Sequence, residues 1–280
     1  MSNSENPLLN DLLIHYESSY EAQRLTRASG QLELVRTQEL VTRYLPPAPA
    51  VLFDVGGGAG VYACWLAKQG YETHLIDAVP LHVEQAQQAS DNQPDYPLAS
   101  ATVGDARQLN RPDSSVDVVL MFGPLYHLTE RADRLAALGE AQRILRPGGL
   151  LLAVGISRFA SSMDGLFRGL LDDPQFVEIV QQDLIDGQHR NPTNNPAYFT
   201  TAYFHHPQEL RAEVDEAGLQ YEETLAIEGP GWLLQNFAEH WTDQTRRERL
   251  LTVVRSVESE ASLIGASAHI MVVARKKSRS

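Results

Sequence analysis

Three glycines at positions 56, 58 and 60 follow an apolar stretch, Val51-Leu52-Phe53-Asp54-Val55, and run into Val61 and Tyr62. Glycines at this spacing let backbone approach a ligand closely, as nucleotide sites require. A dinucleotide fingerprint would place a further glycine three residues after the second, where a helix packs close to its strand. Here that position holds Val61. Asp54, two residues before the first glycine, would repel a pyrophosphate and attract a cation. Two more acids stand where a nucleoside would need them. Asp77 lies 17 residues beyond Gly60, suited to accept hydrogen bonds from two ribose hydroxyls. Asp105, in Gly104-Asp105-Ala106, could accept from an adenine amino group. Asp near strand ends also caps loops, which is the competing structural role for both.

These residues need a scaffold that brings them to one edge. From position 51 onward, strands and helices alternate, the signature of a parallel sheet covered on both faces. Strands are expected at 51–55, 74–77, 101–103, 116–122 and 150–156, with helices at 61–69, 81–89 and 129–145. The last of these helices would bury Leu135, Leu138, Ala141 and Leu145 and turn Arg131, Arg134 and Glu140 elsewhere. A helix at 207–218 and strands at 219–227 and 268–274 complete the pattern. In open parallel sheets the ligand sits outside the carboxyl ends of the strands. Each candidate acid or glycine falls at such an end, and the fourth strand ends at Gly123-Pro124-Leu125-Tyr126-His127.

The set resembles the class I S-adenosylmethionine-dependent methyltransferases. Residues 51–60 are similar to their first motif, Ile76-Asp77 to the acidic end of their second strand, and Gly104-Asp105-Ala106 to their adenine-binding turn. Leu145-Arg146-Pro147-Gly148-Gly149 resembles the turn before their fifth strand. The resemblance covers residues 50–155 with specific motifs and 207–275 through the order of elements. It implies an α/β fold with a doubly wound, seven-stranded, mostly parallel sheet whose last strand is antiparallel. It also implies cofactor contacts at Gly56, Gly58, Gly60, Asp77, Asp105 and Ala106, with Asp54 balancing the charged amino-acid end. Methyl transfer from a sulfonium needs alignment and exclusion of water more than covalent chemistry. The residues facing the methyl group would be Tyr126, which could orient the acceptor, and His127. His127 either takes a proton from the acceptor or caps a helix beginning near Thr129. Phe122-Gly123-Pro124-Leu125-Tyr126-His127-Leu128 resembles a small-molecule subgroup and departs from the Asn-Pro-Pro-Tyr motif of enzymes that methylate amino groups of nucleic acids and glutamine.

Around this core, residues 1–46 read as a helical cap whose Tyr16, Tyr20 and Arg24 could close over the cofactor. The methyltransferase domain would occupy 47–275, with insertions at 157–206 and 232–262 that are expected to form a substrate lid, and a basic tail would follow at 276–280. The first insertion carries Phe159, Met163, Phe167, Tyr198, Phe199, Tyr203, Phe204, His205 and His206, either a substrate lid or a small core of its own. A helix is expected at 245–258. His205-His206 lacks an evident third ligand, so no metal is expected.

A net charge of −13 over 280 residues disfavours a nucleic-acid partner. No apolar run approaches membrane-spanning length, and the start lacks the basic and apolar regions of a signal peptide, which points to a cytoplasmic protein. The single cysteine, Cys64, falls in an apolar stretch and reads as a buried hydrophobe. The expected activity is methylation of oxygen or nitrogen on a small-molecule acceptor. The alternatives are a protein that binds S-adenosylmethionine without methylating, and an NAD-dependent dehydrogenase.

Overall fold

The computed structural model describes Leu25, residues 29–193 and residues 195–278. Tyr16, Tyr20 and Arg24 lie outside the described residues.

Seven strands form the main sheet: β1 (Val51–Val55), β2 (Glu72–Asp77), β3 (Ser100–Val103), β4 (Val116–Met121), β5 (Leu145–Ser157), β8 (Leu219–Ala226) and β9 (His269–Lys276). Their spatial order is β3-β2-β1-β4-β5-β9-β8. Only β9 runs against its neighbours, pairing Leu152 with Val273 on one edge and Val273 with Glu223 on the other. The expected architecture is therefore the one observed.

Strands this apolar make sense only when both faces are covered. Alternate residues feed two layers. Phe53, Val55, Val119, Met121, Leu151 and Ala153 point to one side, where helix α5 (Arg131–Ile144) brings Ala137, Leu138 and Ala141, and helix α8 (Pro207–Glu216) brings Leu210 and Val214. Leu52, Val118, Leu120, Leu152 and Val154 point to the other, against Leu40 and Val41 of helix α1 (Gly30–Tyr44) and Leu66 of helix α2 (Val61–Ala67). Helix α3 (Pro80–Asp91) packs Val83 and Ala86 on Ala63 and Leu75. Cys64 is buried in α2, as its apolar surroundings imply.

Four details differ from the sequence expectation. Residues 145–149 do not form a separate turn: Leu145 already pairs with Val116, and an irregularity between Val116 and Val118 shifts the register so that Val118 meets Leu150. Arg134 lies on the buried face of α5 rather than outside it. The turn after β4 winds into a one-turn helix, α4 (Pro124–His127). The basic end is tied down more than a solvated tail would be, with Arg275 donating to Glu222 at 2.8 Å and Lys276 closing β9 with a bond to the Arg143 carbonyl at 3.1 Å.

The first insertion is sewn into the sheet. It contains helices α6 (Ala160–Arg168) and α7 (Pro174–Asp186) and the short strands β6 (Gln188–His189) and β7 (Ala202–His205). β7 pairs in parallel with the end of β5 at Ile156 and Ser157, while Ile156 also pairs with His269 on the other edge. β7 thus continues the lane of β4 beyond Met121, where the chain has turned into α4. In the second insertion, α9 (Phe237–Thr242) and α10 (Gln244–Val257) pack Phe237, Trp241 and Leu251 against Leu32 of α1.

Arg134 binds β7, α5 and α8 together. Its guanidinium, 1% exposed, donates to Glu213 at 2.8 and 3.0 Å and to the Leu128 and Thr129 carbonyls, and lies 3.6 Å from the centre of the Tyr203 ring. Removing one partner of a buried pair strands the other charge. Arg134→Ala should therefore lower stability by about 3 kcal/mol or more in urea unfolding, and Arg134→Met with Glu213→Leu should recover part of it. A cost below about 0.5 kcal/mol for the single variant would show that the pair is not what holds the insertion.

Candidate functional site

The carboxyl ends of β1, β2, β3 and β4 open into a cavity of ≈ 520 Å³. Its floor begins where β1 stops. Gly56 and Gly57 both direct their N–H groups to the Ile76 carbonyl, at 2.7 and 3.3 Å, which turns the chain sharply against β2. Gly56 has φ +69°, and a Cβ there would lie 2.6 Å from Pro124 Cδ, so only glycine lets α4 close onto this turn. At Gly58, φ is +55° and nothing lies within 4 Å of where a Cβ would be, because that side faces the cavity. Gly60 serves a different purpose: it caps α2 and lets it approach α3, a Cβ being 3.1 Å from that of Ala86. It does not line the cavity, although Ala59 and Val61 on either side do.

Asp77 is fixed from both oxygens. Oδ2 accepts the Gly58 N–H at 2.9 Å; Oδ1 accepts the Val79 N–H at 2.9 Å and lies 3.2 Å from His82 Nδ1. The carboxylate thus braces the glycine turn and the start of α3 while still lining the cavity. Asp105 is also braced, by the backbone and guanidinium of Arg107. Burial would raise its pKa, and the Arg107 hydrogen bonds outweigh that effect and hold it below the usual carboxylate value. Ala106 lines the same wall.

Asp54 stands apart from these. It is 1% exposed and its Oδ2 has no hydrogen-bond partner. Burial, reinforced by the charge on Asp77 and opposed by the Ala63 backbone N–H, pushes its pKa up to about 7. A buried carboxyl with an unused acceptor at the wall of a cavity is a receptor for a cationic group, whose arrival would draw its proton off.

The opposite part of the cavity is walled by Tyr62, Phe122, Val154 and Ile227, with Glu33 and Thr37 of α1 beside them. Tyr126 and His127 also line it, their rings 4.6 Å apart at an interplanar angle of 60°. His127 closes α4 and does not cap the next helix, which starts at Arg131 after Glu130. Tyr126 is held from behind by Ile156, Ala202 and Phe204, so β7 positions the Tyr126-His127 turn.

None of the insertion aromatics named from the sequence lines this cavity. Tyr198 packs on Phe176, Tyr203 lies under Arg134, His205 is bonded to Glu213, and Phe159 meets His206 edge-on. The walls come instead from positions that sequence reasoning passed over. Val154 and Ile227 read as core residues of apolar strands, and nothing in the sequence marks them as the last before open space. Arg107 was discoverable, as an arginine two residues after a candidate ligand acid.

Among the described residues, Glu33, Glu228 and His269 bring potential metal-ligand atoms within 4.8 Å of one another. Their hydrogen bonding gives them another role. His269 Nδ1 lies 2.6 Å from Glu228 Oε1, and Glu228 Oε2 accepts from Ser267 Oγ and the His269 backbone N–H. An imidazole nitrogen donating to a carboxylate has no lone pair to offer a metal.

A methyltransferase-domain family model matches residues 53–153. The same stretch carries Asp54, the glycine turn, Asp77, Asp105 and the Tyr126-His127 turn. Residues 53–153 thus carry a methyltransferase domain, and the cofactor that such a domain takes is S-adenosylmethionine. A ubiquinone/menaquinone biosynthesis C-methyltransferase from Caulobacter vibrioides is 32% identical over 139 residues, 46% of this chain and 53% of that protein. An S-adenosyl-L-methionine-dependent Diels-Alderase from Talaromyces variabilis is 26% identical over 184 residues, 55% of this chain and 62% of that protein. The chain thus spans 53% and 62% of the length of these two relatives. The fold aligns with an S-adenosylmethionine-dependent methyltransferase from Methanosarcina mazei at TM-score 0.59 and 17% identity, covering 86% of this chain and 98% of that one. The residues present fit the cofactor: the unpartnered Asp54 oxygen suits its ammonium group, and Gly58 leaves open the space a side chain would fill.

Asp54 makes stability depend on pH. Its folded pKa of about 7 lies above the ordinary value of about 4, so the unfolded chain loses this proton first and stability falls as pH rises from about 4 to about 7. In ligand-free protein, Asp54→Asn should remove that fall, so the variant gains melting temperature relative to wild type from pH 4.5 to pH 8. A difference in melting temperature that stays constant across this range would show that Asp54 ionises normally.

Proposed function

We propose that this protein transfers the methyl group of S-adenosylmethionine to a small-molecule acceptor bound against Tyr62, Phe122, Val154 and Ile227. The observation that carries this reading is the unpartnered, buried Asp54 oxygen beside a glycine turn, in a cavity whose other wall is apolar. When bound, the cofactor supplies a methyl group already activated by a sulfonium. The remaining tasks fall to side chains. Asp54 balances the amino-acid end, Asp77 and the Gly58 backbone hold the ribose side, and Asp105 with Ala106 holds the base. Apolar walls keep water out, so that the acceptor is the nucleophile present. Tyr126 orients the acceptor. His127 accepts its proton when the acceptor atom is protonated at neutral pH, as a phenol or an ammonium is.

Oxygen and nitrogen remain the proposed acceptor atoms, although the relatives include an enzyme named for carbon methylation. The acidic balance of the chain and the cavity of ≈ 520 Å³ with acidic and apolar walls support a small molecule over a nucleic acid. Among the described residues, no helix is long and apolar enough to cross a membrane. The relative named as a Diels-Alderase supports a second reading, in which the cofactor is bound but not consumed.

Calorimetry with S-adenosylmethionine and with NADH separates the cofactor classes: binding of the first and not the second is expected, and the reverse would overturn the reading. Asp77→Ala should weaken binding roughly 100-fold, because it removes one direct ligand and the brace on Gly58. Incubation with a panel of phenols, arylamines and carbon acids should then release S-adenosylhomocysteine. If an acceptor is transformed with no demethylated cofactor formed, the second reading replaces the first. With an active acceptor, His127→Ala should lose turnover at neutral pH and recover it at high pH.

A further inference from the structure

Arg107 is the sole arginine or lysine among the described residues that line the cavity, which also has Asp54, Asp77, Asp105 and Asp133 in its walls. Its donors are spent in one pattern. The backbone N–H and Nε reach Asp105 Oδ1 at 2.8 and 3.0 Å, and Nη2 reaches Oδ2 at 2.6 Å. Nη1 turns the other way, to Asp133 Oδ2 at 3.0 Å. Asp133 lies in the first turn of α5, so the arginine spans from the turn after β3 to the helix after the Tyr126-His127 turn.

This arrangement does more than neutralise charge. Asp105 and Arg107 are each about a third to a half exposed, and a lone carboxylate there would rotate freely. A two-pronged guanidinium contact fixes the plane of the carboxylate, which a lysine cannot do. Asp133 in turn holds the guanidinium. Nε is shared between both oxygens, so three Arg107 donors engage the carboxylate; of its about four acceptor sites about one is left, on Oδ2. Fixed in plane on the cavity wall, that remaining site can act only as an acceptor.

We propose that Arg107 is a positioning residue that fixes the Asp105 carboxylate as an acceptor edge for a 6-aminopurine and so sets selection against a 6-oxopurine. The proposal rests on the cofactor reading above, which puts the base at residues 104–106. An amino group at C6 donates to the held carboxylate. A carbonyl at the same place sets oxygen against oxygen, and a site built to receive a donor rejects an analogue that lacks one. If the carboxylate could turn away, the penalty on the carbonyl would relax.

Calorimetry with S-adenosylhomocysteine and S-inosylhomocysteine tests this without any acceptor. Wild type should prefer the adenine ligand by roughly 100-fold. Arg107→Ala should weaken S-adenosylhomocysteine about tenfold and bring the two ligands to within about tenfold of each other, with Arg107→Lys between, as loss of the two-pronged contact predicts. Asp133→Asn, a milder change at a partly exposed site, should lower the ratio in the same direction; it keeps the test open if Arg107→Ala fails to fold. A merely structural role would weaken both ligands equally. An unchanged adenine-to-hypoxanthine ratio in folded Arg107→Ala, or in Asp133→Asn should the former not fold, overturns the proposal. Wild-type protein that binds neither nucleoside overturns the cofactor reading itself, which is a different result.

Discussion

Asp54 and Asp77 end adjacent strands of a sheet that excludes water from both faces, and two carboxylates in that position repel each other. The structure treats them unequally. Asp77 receives the Gly58 and Val79 N–H groups and braces the turn. Asp54 is left with a bare oxygen and holds its proton up to about pH 7. Much of the site follows from this imbalance. The glycine turn is shaped so that one amide can serve Asp77, while Asp54 keeps an unpartnered, buried oxygen at the wall of the cavity.

The Tyr126-His127 end of the cavity depends on a different constraint. β4 stops at Met121, opposite Ala153, while β5 runs on to Ser157, leaving the β5 edge at 154–157 without β4 beside it. β7 fills that lane, and Tyr126 packs on it. The insertion is then fastened by buried charge. Arg158 donates to the Phe204 carbonyl at 2.7 Å and to Glu209 at 2.6 Å, and Arg134 locks to Glu213. Such pairs add less to stability than their number suggests, because each charge has lost its water. What they supply is a single geometry: the described insertion behaves as a buttress behind the Tyr126-His127 turn, with Phe176, Tyr198, Tyr203 and Phe204 buried and Phe167 exposed.

Much of the scaffold was legible in the sequence because local pattern and tertiary role agree there. Residues 118–122 are apolar throughout and 150–156 carry no polar side chain, which suits strands covered on both faces. The acids at 54, 77 and 105 could be placed because strand ends in a parallel sheet all come to one edge. Arg134 was misplaced for the opposite reason: helical periodicity treats an arginine as a surface residue, and only the arrival of Glu213 and Tyr203 from distant segments makes burial tolerable. The insertion aromatics show the same limit. Their composition suits a lid and a small core equally, and contacts between Phe176 and Tyr198 decide for the core.

By itself, then, the sequence determined the sheet, the turn and the cofactor class, since each depends on residue type at short spacing: glycine where φ must be positive, aspartate where a strand ends. Tertiary structure alone decided which groups share the cavity. Glu33, Val154 and Ile227 meet there from segments more than 70 residues apart, and Asp54 acquires its raised pKa only once the folded sheet removes its water and sets Asp77 beside it. Burial and proximity belong to the assembled molecule, because a solvated chain screens the charges that the fold brings into opposition.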